Sequence, residues 1–228
     1  GSDTVEYMVV GGGGSGGSGG VGGSGAGGGG GGFRSFICGS PNPLNASALP
    51  VSAQTYPITV GAGEATPGSA SGVGTKGADS VFSTITSAGG GAGGVGNPLP
   101  GTSNAGQPGG SGGGARGTAV PGSPSTVGGT GNTPPVSPPQ GQNGGQNPAA
   151  PEKASAGGGG AGAVGATGGS PQCAPGNGGD GGVGSFIADS VFGPTAPSYG
   201  QSPSPLAPNG RYFSGGGAGN GYNAPASG

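Results

Sequence analysis

The sequence predicts a fold outside the common classes: a bundle or sandwich of packed polyproline II (polyglycine II) helices with a few short β-strands and essentially no α-helix. Three observations predict it. Glycine supplies 69 of the 228 residues and proline 24, while only 28% are hydrophobic, which leaves too little apolar area for an ordinary core. Within residues 11–32 the tract is almost pure glycine, and four of its five exceptions, Ser15, Ser18, Val21 and Ser24, fall on a spacing of three. Short β-forming segments stand at the borders of the glycine blocks.

A Gly/Ser tract taken alone is a flexible linker. What argues for order is the period. Polyproline II has three residues per turn and leaves its N–H and C=O groups without internal partners. A Gly-Gly-X repeat in that conformation places every X on one edge and leaves two edges bare. Bare edges let neighbouring backbones approach closely enough to bond one another. Ordering each residue costs roughly 1–2 kcal/mol, most of all for glycine, and a hydrogen bond returns about 1 kcal/mol net. An isolated helix of this kind melts, so the order has to be collective.

Along the chain, residues 1–228 read as a single glycine-rich domain. A strand is expected at residues 5–10, Val-Glu-Tyr-Met-Val-Val. Glycine helices are expected at 11–32, 87–96, 109–117, 157–170, 176–184 and 215–221; in the fourth, Ala161, Val164, Thr167 and Ser170 repeat the three-residue spacing. Residues 55–60, 80–86, 185–187 and 211–213 read as strands or apolar caps over the glycine layer. The echo of Asp79-Ser80-Val81-Phe82 in Asp189-Ser190-Val191-Phe192 suggests a repeated unit. The proline-rich stretches 118–153 and 194–208 read as loops, as does 41–50.

The same residues exclude much chemistry. There is no histidine, which removes the Ser-His pair and the commonest metal ligand, and the expectation is a protein that is not an enzyme and takes no cofactor or metal. Matches to G-x-S-x-G and G-x-G-x-x-G are what chance gives in so much glycine. Five Lys and Arg scattered singly, with a net charge of −2, make no stripe for nucleic acid. No apolar run approaches the roughly 20 residues of a membrane span, and residues 5–10 are too short for a signal core. The chain is expected to be soluble or assembled, with any leader already removed. Cys38 and Cys173 are left as either one disulfide or two free thiols. Asn45-Ala46-Ser47 is a formal glycosylation sequon, meaningful only in a eukaryotic secretory setting.

The ordered series of motifs resembles a known family. Residues 5–10 running into polyglycine, Tyr56-Pro57-Ile58-Thr59-Val60-Gly61-Ala62-Gly63, residues 81–91, Gly178-Gly179-Asp180-Gly181-Gly182 and Tyr212-Phe213-Ser214-Gly215-Gly216-Gly217-Ala218-Gly219 look like the glycine-rich domain of bacteriophage tail fibres, including the polyglycine-sandwich adhesins of fibre tips. The resemblance implies a structural and adhesive role on the virion tail fibre or outside the cell. It also implies partners among host surface glycans, outer-membrane proteins, other fibre proteins and the chain itself, without membrane insertion. The residues expected to meet a receptor are Tyr199, Leu206, Leu99 and Gln107. The alternatives are a self-assembling extracellular filament subunit and an ice-binding protein.

Overall fold

The structure, a computed structural model, describes residues 3–19, 24–65, 74–95, 104–117, 126–147, 154–168, 177–201 and 210–221. The glycine tracts in it are neither α-helix nor β-strand. They are extended segments that bond only to other segments. Segment 154–161 shows the rule. The N–H groups of Ser155, Gly158 and Ala161 donate to Asn220, Gly217 and Ser214; those of Ala156 and Gly159 to Ala115 and Gly112; those of Gly157 and Gly160 to Ala166 and Ala163. Its carbonyls accept in the same rhythm: Ser155 and Gly158 from Gly179 and Gly182, Ala156 and Gly159 from Gly27 and Gly30, Gly157 and Gly160 from Gly145 and Gln142. Each partner recurs every third residue. A β-strand would meet the same neighbour every second residue, so the repeat identifies a threefold helix.

From Ser155 to Gly160 every main-chain donor and acceptor is matched, at 2.8–3.1 Å. Three surrounding segments take the N–H groups and three others supply the N–H donors to its carbonyls, which is hexagonal packing. Followed outward, the hydrogen bonds order the segments in layers. Residues 126–131, 140–147 and 163–168 form one face. Below them lie 104–109, 110–117, 154–161 and 177–184, then 88–95, 24–32 and 214–221, then 74–79 and 11–19, with 61–64 outermost.

Such spacing is available only where there is no side chain, or a very small one. A Cβ on Gly158 would overlap the carbonyl of Gly28, and one on Gly112 the carbonyl of Gly129. Most of the side chains that do enter are Ala and Ser: Ala92, Ala115, Ala156, Ser111 and Ser155 are all fully buried. The serines do more than fit. Ser24 Oγ and Ser155 Oγ lie 2.8 Å apart, Ser155 Oγ donates to Ser24 C=O, and Ser15 Oγ accepts from Thr75 N–H.

The strands continue the helices at one end of the bundle. β1 (Thr4–Val5) pairs with β4 (Leu49–Pro50), and β2 (Tyr7–Val10) with β3 (Phe33–Phe36). β5 (Ile58–Thr59), β6 (Ser80–Phe82) and β7 (Ile85–Ser87) form an antiparallel sheet, and β8 (Ser185–Ala188) pairs with β9 (Gly210–Phe213). The ladder passes without a break from the pair Val10↔Phe33 to Gly11→Gly32, Gly14→Gly29 and Gly17→Ala26. The change from period two to period three comes where the side chains stop. Most of the large apolar residues cap the lattice instead: Phe33, Ile37 and Ile187 are buried with Met8, Val10, Leu44, Phe192 and Phe213 against them.

Several sequence expectations are corrected. Residues 11–32 are not one helix but two antiparallel ones, 11–19 and 24–32. The run from Ala161 to Ser170 is likewise divided, because Gly160 N–H already reaches Ala163 C=O and the chain reverses there. Residues 80–86 are a hairpin, turned at Ser83 with φ 54°, and residues 5–10 break at Glu6. The echo is not a repeated unit, since Ser80–Phe82 is strand and Asp189–Phe192 is helix α1. Much of 118–153 is lattice rather than loop: Gln142 and Gly145 donate into 154–161. β3, directly after polyglycine, was not anticipated.

Buried amides take the place that charged pairs hold in other folds. Gln140 Oε1 accepts from Ala88 N–H and its Nε2 donates to Pro134 C=O. Asn147 Nδ2 donates to Ala154 C=O and its Oδ1 accepts from Gly168 N–H. Asn42 Nδ2 donates to Ser185 Oγ and Phe186 C=O, tying the chain after β3 to β8. Asn132, at φ 51°, accepts from Val136 and Gln140 N–H and turns the chain between lattice segments.

Gly158→Ala is expected to lower stability by about 3 kcal/mol, at the upper end of overpacking costs, whereas Val164→Ala, exposed at 55%, should change it little; thermal unfolding followed by circular dichroism measures both. Tyr7 supplies a pH test. Its hydroxyl donates to Ser47 C=O, and burial pushes its pKa above the ordinary 10.0, partly offset by Arg34. The folded chain therefore holds that proton more tightly. The contribution is intact below the ordinary value and lost as pH rises past it, so Tyr7→Phe should show a smaller loss of stability in strong alkali than the unsubstituted protein.

Candidate receptor-contact surface

Between β8 and β9 the chain makes an excursion that the lattice cannot absorb, and this carries the one expected contact residue that is both described and well exposed. α1 (Asp189–Phe192) runs into a 3₁₀ helix, η1 (Gly193–Ser198), with Gly193 and Gly200 at positive φ marking its ends. Thr195 Oγ1 donates to Phe192 C=O at 2.7 Å, and Ala196, at 3% exposure, anchors the turn from below. Arg211 on β9 lies 3.4 Å from Asp189, an ion pair joining the start of the excursion to the strand that follows it.

This framework displays an aromatic surface. Tyr199, 48% exposed, stacks on Phe192 with ring centroids 5.2 Å apart and planes 29° apart, and Phe192 in turn packs on Phe213 at 5.8 Å. Val191, 41% exposed, stands on the same excursion. Gln201 bridges Tyr212, and the two line a cavity of about 440 Å³ with Val183, Ser214 and the glycines around them. A partly exposed stacked ring such as Tyr199 can hold a sugar face or an apolar side chain, and the cavity offers an amide, two hydroxyls and glycine main chain as polar partners.

The other expected residues divide. Gln107 is not in a loop: its N–H donates to Ala92 C=O and its C=O accepts from Gly113 N–H, so its main chain belongs to the lattice. Leu99, Leu206, Val21, Ser170 and Cys173 lie outside the described residues. Cys38 is exposed with its thiol free. Among the edge residues Ser15, Ser18, Ser24 and Ala161 are buried, Thr167 is half-buried and Val164 is exposed. Asn45 of the sequon has its amide engaged with both main-chain groups of Ile37. The sequence reading missed Phe192 as the partner of Tyr199. A signal existed in the Phe192 to Tyr199 spacing across a Gly-Pro pair, which turns the chain back.

A second surface lies along β2, β5 and β6. Among the described residues β5 pairs only with β6, and Ile58 and Val60 are 70% and 85% exposed beside a groove of about 480 Å³ lined by β2, β5 and β6. Among the described residues no group of acidic, histidine or cysteine side chains could hold a metal, and no helix is long and apolar enough to cross a membrane.

A family model described as a glycine-rich domain matches residues 1–228, the whole sequence. The chain belongs to this glycine-rich domain family. No curated protein and no solved structure matches it. For this glycine-rich domain protein the family assignment fits the lattice, since the match spans both the tracts that form it and the strands that cap it.

Arg211→Met should strip Asp189 of its partner at a cost of about 1–3 kcal/mol, between an exposed and a fully buried pair. The excursion should then loosen ahead of the lattice: near-ultraviolet signals from Tyr199 and Phe192 are expected to melt at a lower temperature than the main-chain signal.

Proposed function

We propose that this glycine-rich domain protein is a structural and adhesive component of a phage tail fibre, a rigid scaffold that presents contact surfaces to a bacterial glycan or outer-membrane protein. The observation that carries the reading is the pairing of two features: a lattice whose inner segment 155–160 leaves no main-chain group unmatched, and an exposed aromatic excursion fixed to its edge by the Arg211–Asp189 pair. A preorganised surface loses less entropy on binding than a free loop. Aromatic anchors are the residues on which binding energy concentrates. The work of the protein is therefore display, and no step of it is chemical.

The open edge of β5 favours a second reading, a subunit of an extracellular filament that grows by strand addition. Sedimentation separates the two, since a filament subunit becomes larger with concentration and an adhesin does not.

The direct test is adsorption. Purified protein should bind a subset of bacterial strains and block phage adsorption to those same strains. Tyr199→Ala should weaken binding by about 30-fold, the effect of a hot-spot aromatic near 2 kcal/mol. Absence of binding to every strain that the phage infects would refute the adhesive role.

A further inference from the structure

Beside segment 24–32 the lattice has one side with no described segment on it. The flanking walls are 11–19 and 214–221, both bonded to 24–32: Gly14 and Gly17 donate to Gly29 and Ala26, while Gly217 and Asn220 donate to Gly28 and Gly25. On the floor, Gly27 and Gly30 donate to 154–161 and Gly29 and Gly32 to 88–95. The remaining members of the three-residue repeat, Gly28 and Gly31, are buried, yet among the described residues neither N–H has a partner. By the threefold rule these donors face the open side. On the walls the carbonyls of Gly14 and Ala218 accept no hydrogen bond from the described residues either.

A second observation concerns the glycines of the walls. Most lattice glycines are compulsory, because a Cβ would strike a neighbouring carbonyl. Gly13, Gly16 and Gly217 are different: a Cβ there would find its nearest atom at 4.0, 3.4 and 3.4 Å, in each case on segment 24–32. Internal packing does not demand glycine at these positions, and glycine costs backbone entropy. Side-chain-free walls, buried donors three residues apart and unmatched acceptors on both sides are what a further threefold helix requires.

We propose that this notch docks an extended glycine-rich segment of a partner chain, which completes the lattice by accepting from Gly28 and Gly31 and donating to the walls. Recognition is by main chain, as in strand addition at a sheet edge but with a period of three. Only a segment with a bare edge can come close enough, so the partner is defined by Gly-Gly-X spacing and not by a side-chain motif.

The probe is a synthetic peptide of Gly-Gly-Ser repeats, titrated to millimolar concentration into the full chain labelled with ¹⁵N, with an Ala-Ala-Ser peptide as control. Binding should shift the Gly28 and Gly31 amides and slow their hydrogen exchange, and the control should do neither. Gly16→Val and Gly217→Val place a side chain in the notch, where the Cβ itself comes no closer than 3.4 Å to the lattice. They should keep the unfolding temperature and weaken the peptide effect by about tenfold or more; Gly16→Ala, the milder change, serves if either fails to fold. The proposal is overturned if the Gly28 and Gly31 amides do not respond, if both peptides act alike, or if folded notch variants respond as the unsubstituted chain does.

Discussion

Everything in this structure depends on how closely two extended backbones can approach when neither carries a Cβ where they meet. A polyproline II helix satisfies none of its own polar groups. Surrounded on six sides by others it can satisfy all of them, and segment 154–161 does so without a gap from Ser155 to Gly160. The hydrophobic effect still acts, but its large side chains gather mostly in the cap, where Phe33 and Ile187 are buried in a small cluster at the strand end. The stabilising contribution that other folds draw from apolar area is spread here over main-chain hydrogen bonds and the close packing of bare backbone against bare backbone.

That division of labour orders the molecule. Where side chains are absent the chain runs with period three and packs on all sides. Where they return it switches to period two and forms ribbons with a buried and an exposed face. The strand layer is thus the place where the lattice ends, and the chain can carry exposed rings and open edges there without disturbing the interior. Exposed rings and the matched lattice lie on neighbouring parts of one structure.

The architecture was legible because its signal is compositional and periodic. Ser15, Ser18, Val21 and Ser24 on a spacing of three, set in glycine, point to a threefold helix before any coordinate is known. The path of the chain was not legible. Nothing in residues 11–32 marks where it reverses, since glycine is equally suited to helix and turn. Asp-Ser-Val-Phe enters a strand at one site and a helix at the other because the neighbours decide: at Ser80 the chain leaves the lattice beside β7, whereas at Ser190 it leaves β8 with no strand among the described residues to pair. Residues 140–147 looked like loop because their Gln and Asn are polar, yet Gln140 and Asn147 are each 1% exposed and satisfy lattice groups that no glycine could reach. Of the candidate surface, Tyr199 was legible as an aromatic in a proline-rich excursion, while its support by Phe192, Phe213 and Arg211 depends on the β8–β9 pairing.

Through-hydrogen-bond scalar couplings, which link an amide nitrogen to the carbonyl carbon that accepts its proton, measure the central claim most directly. Couplings from Ser155 to Asn220, from Gly158 to Gly217 and from Ala161 to Ser214, with the intervening amides coupled to other segments, are the predicted result. Couplings to a single neighbour at every second residue, or none at all with amides exchanging at the rate of free chain, would contradict the account.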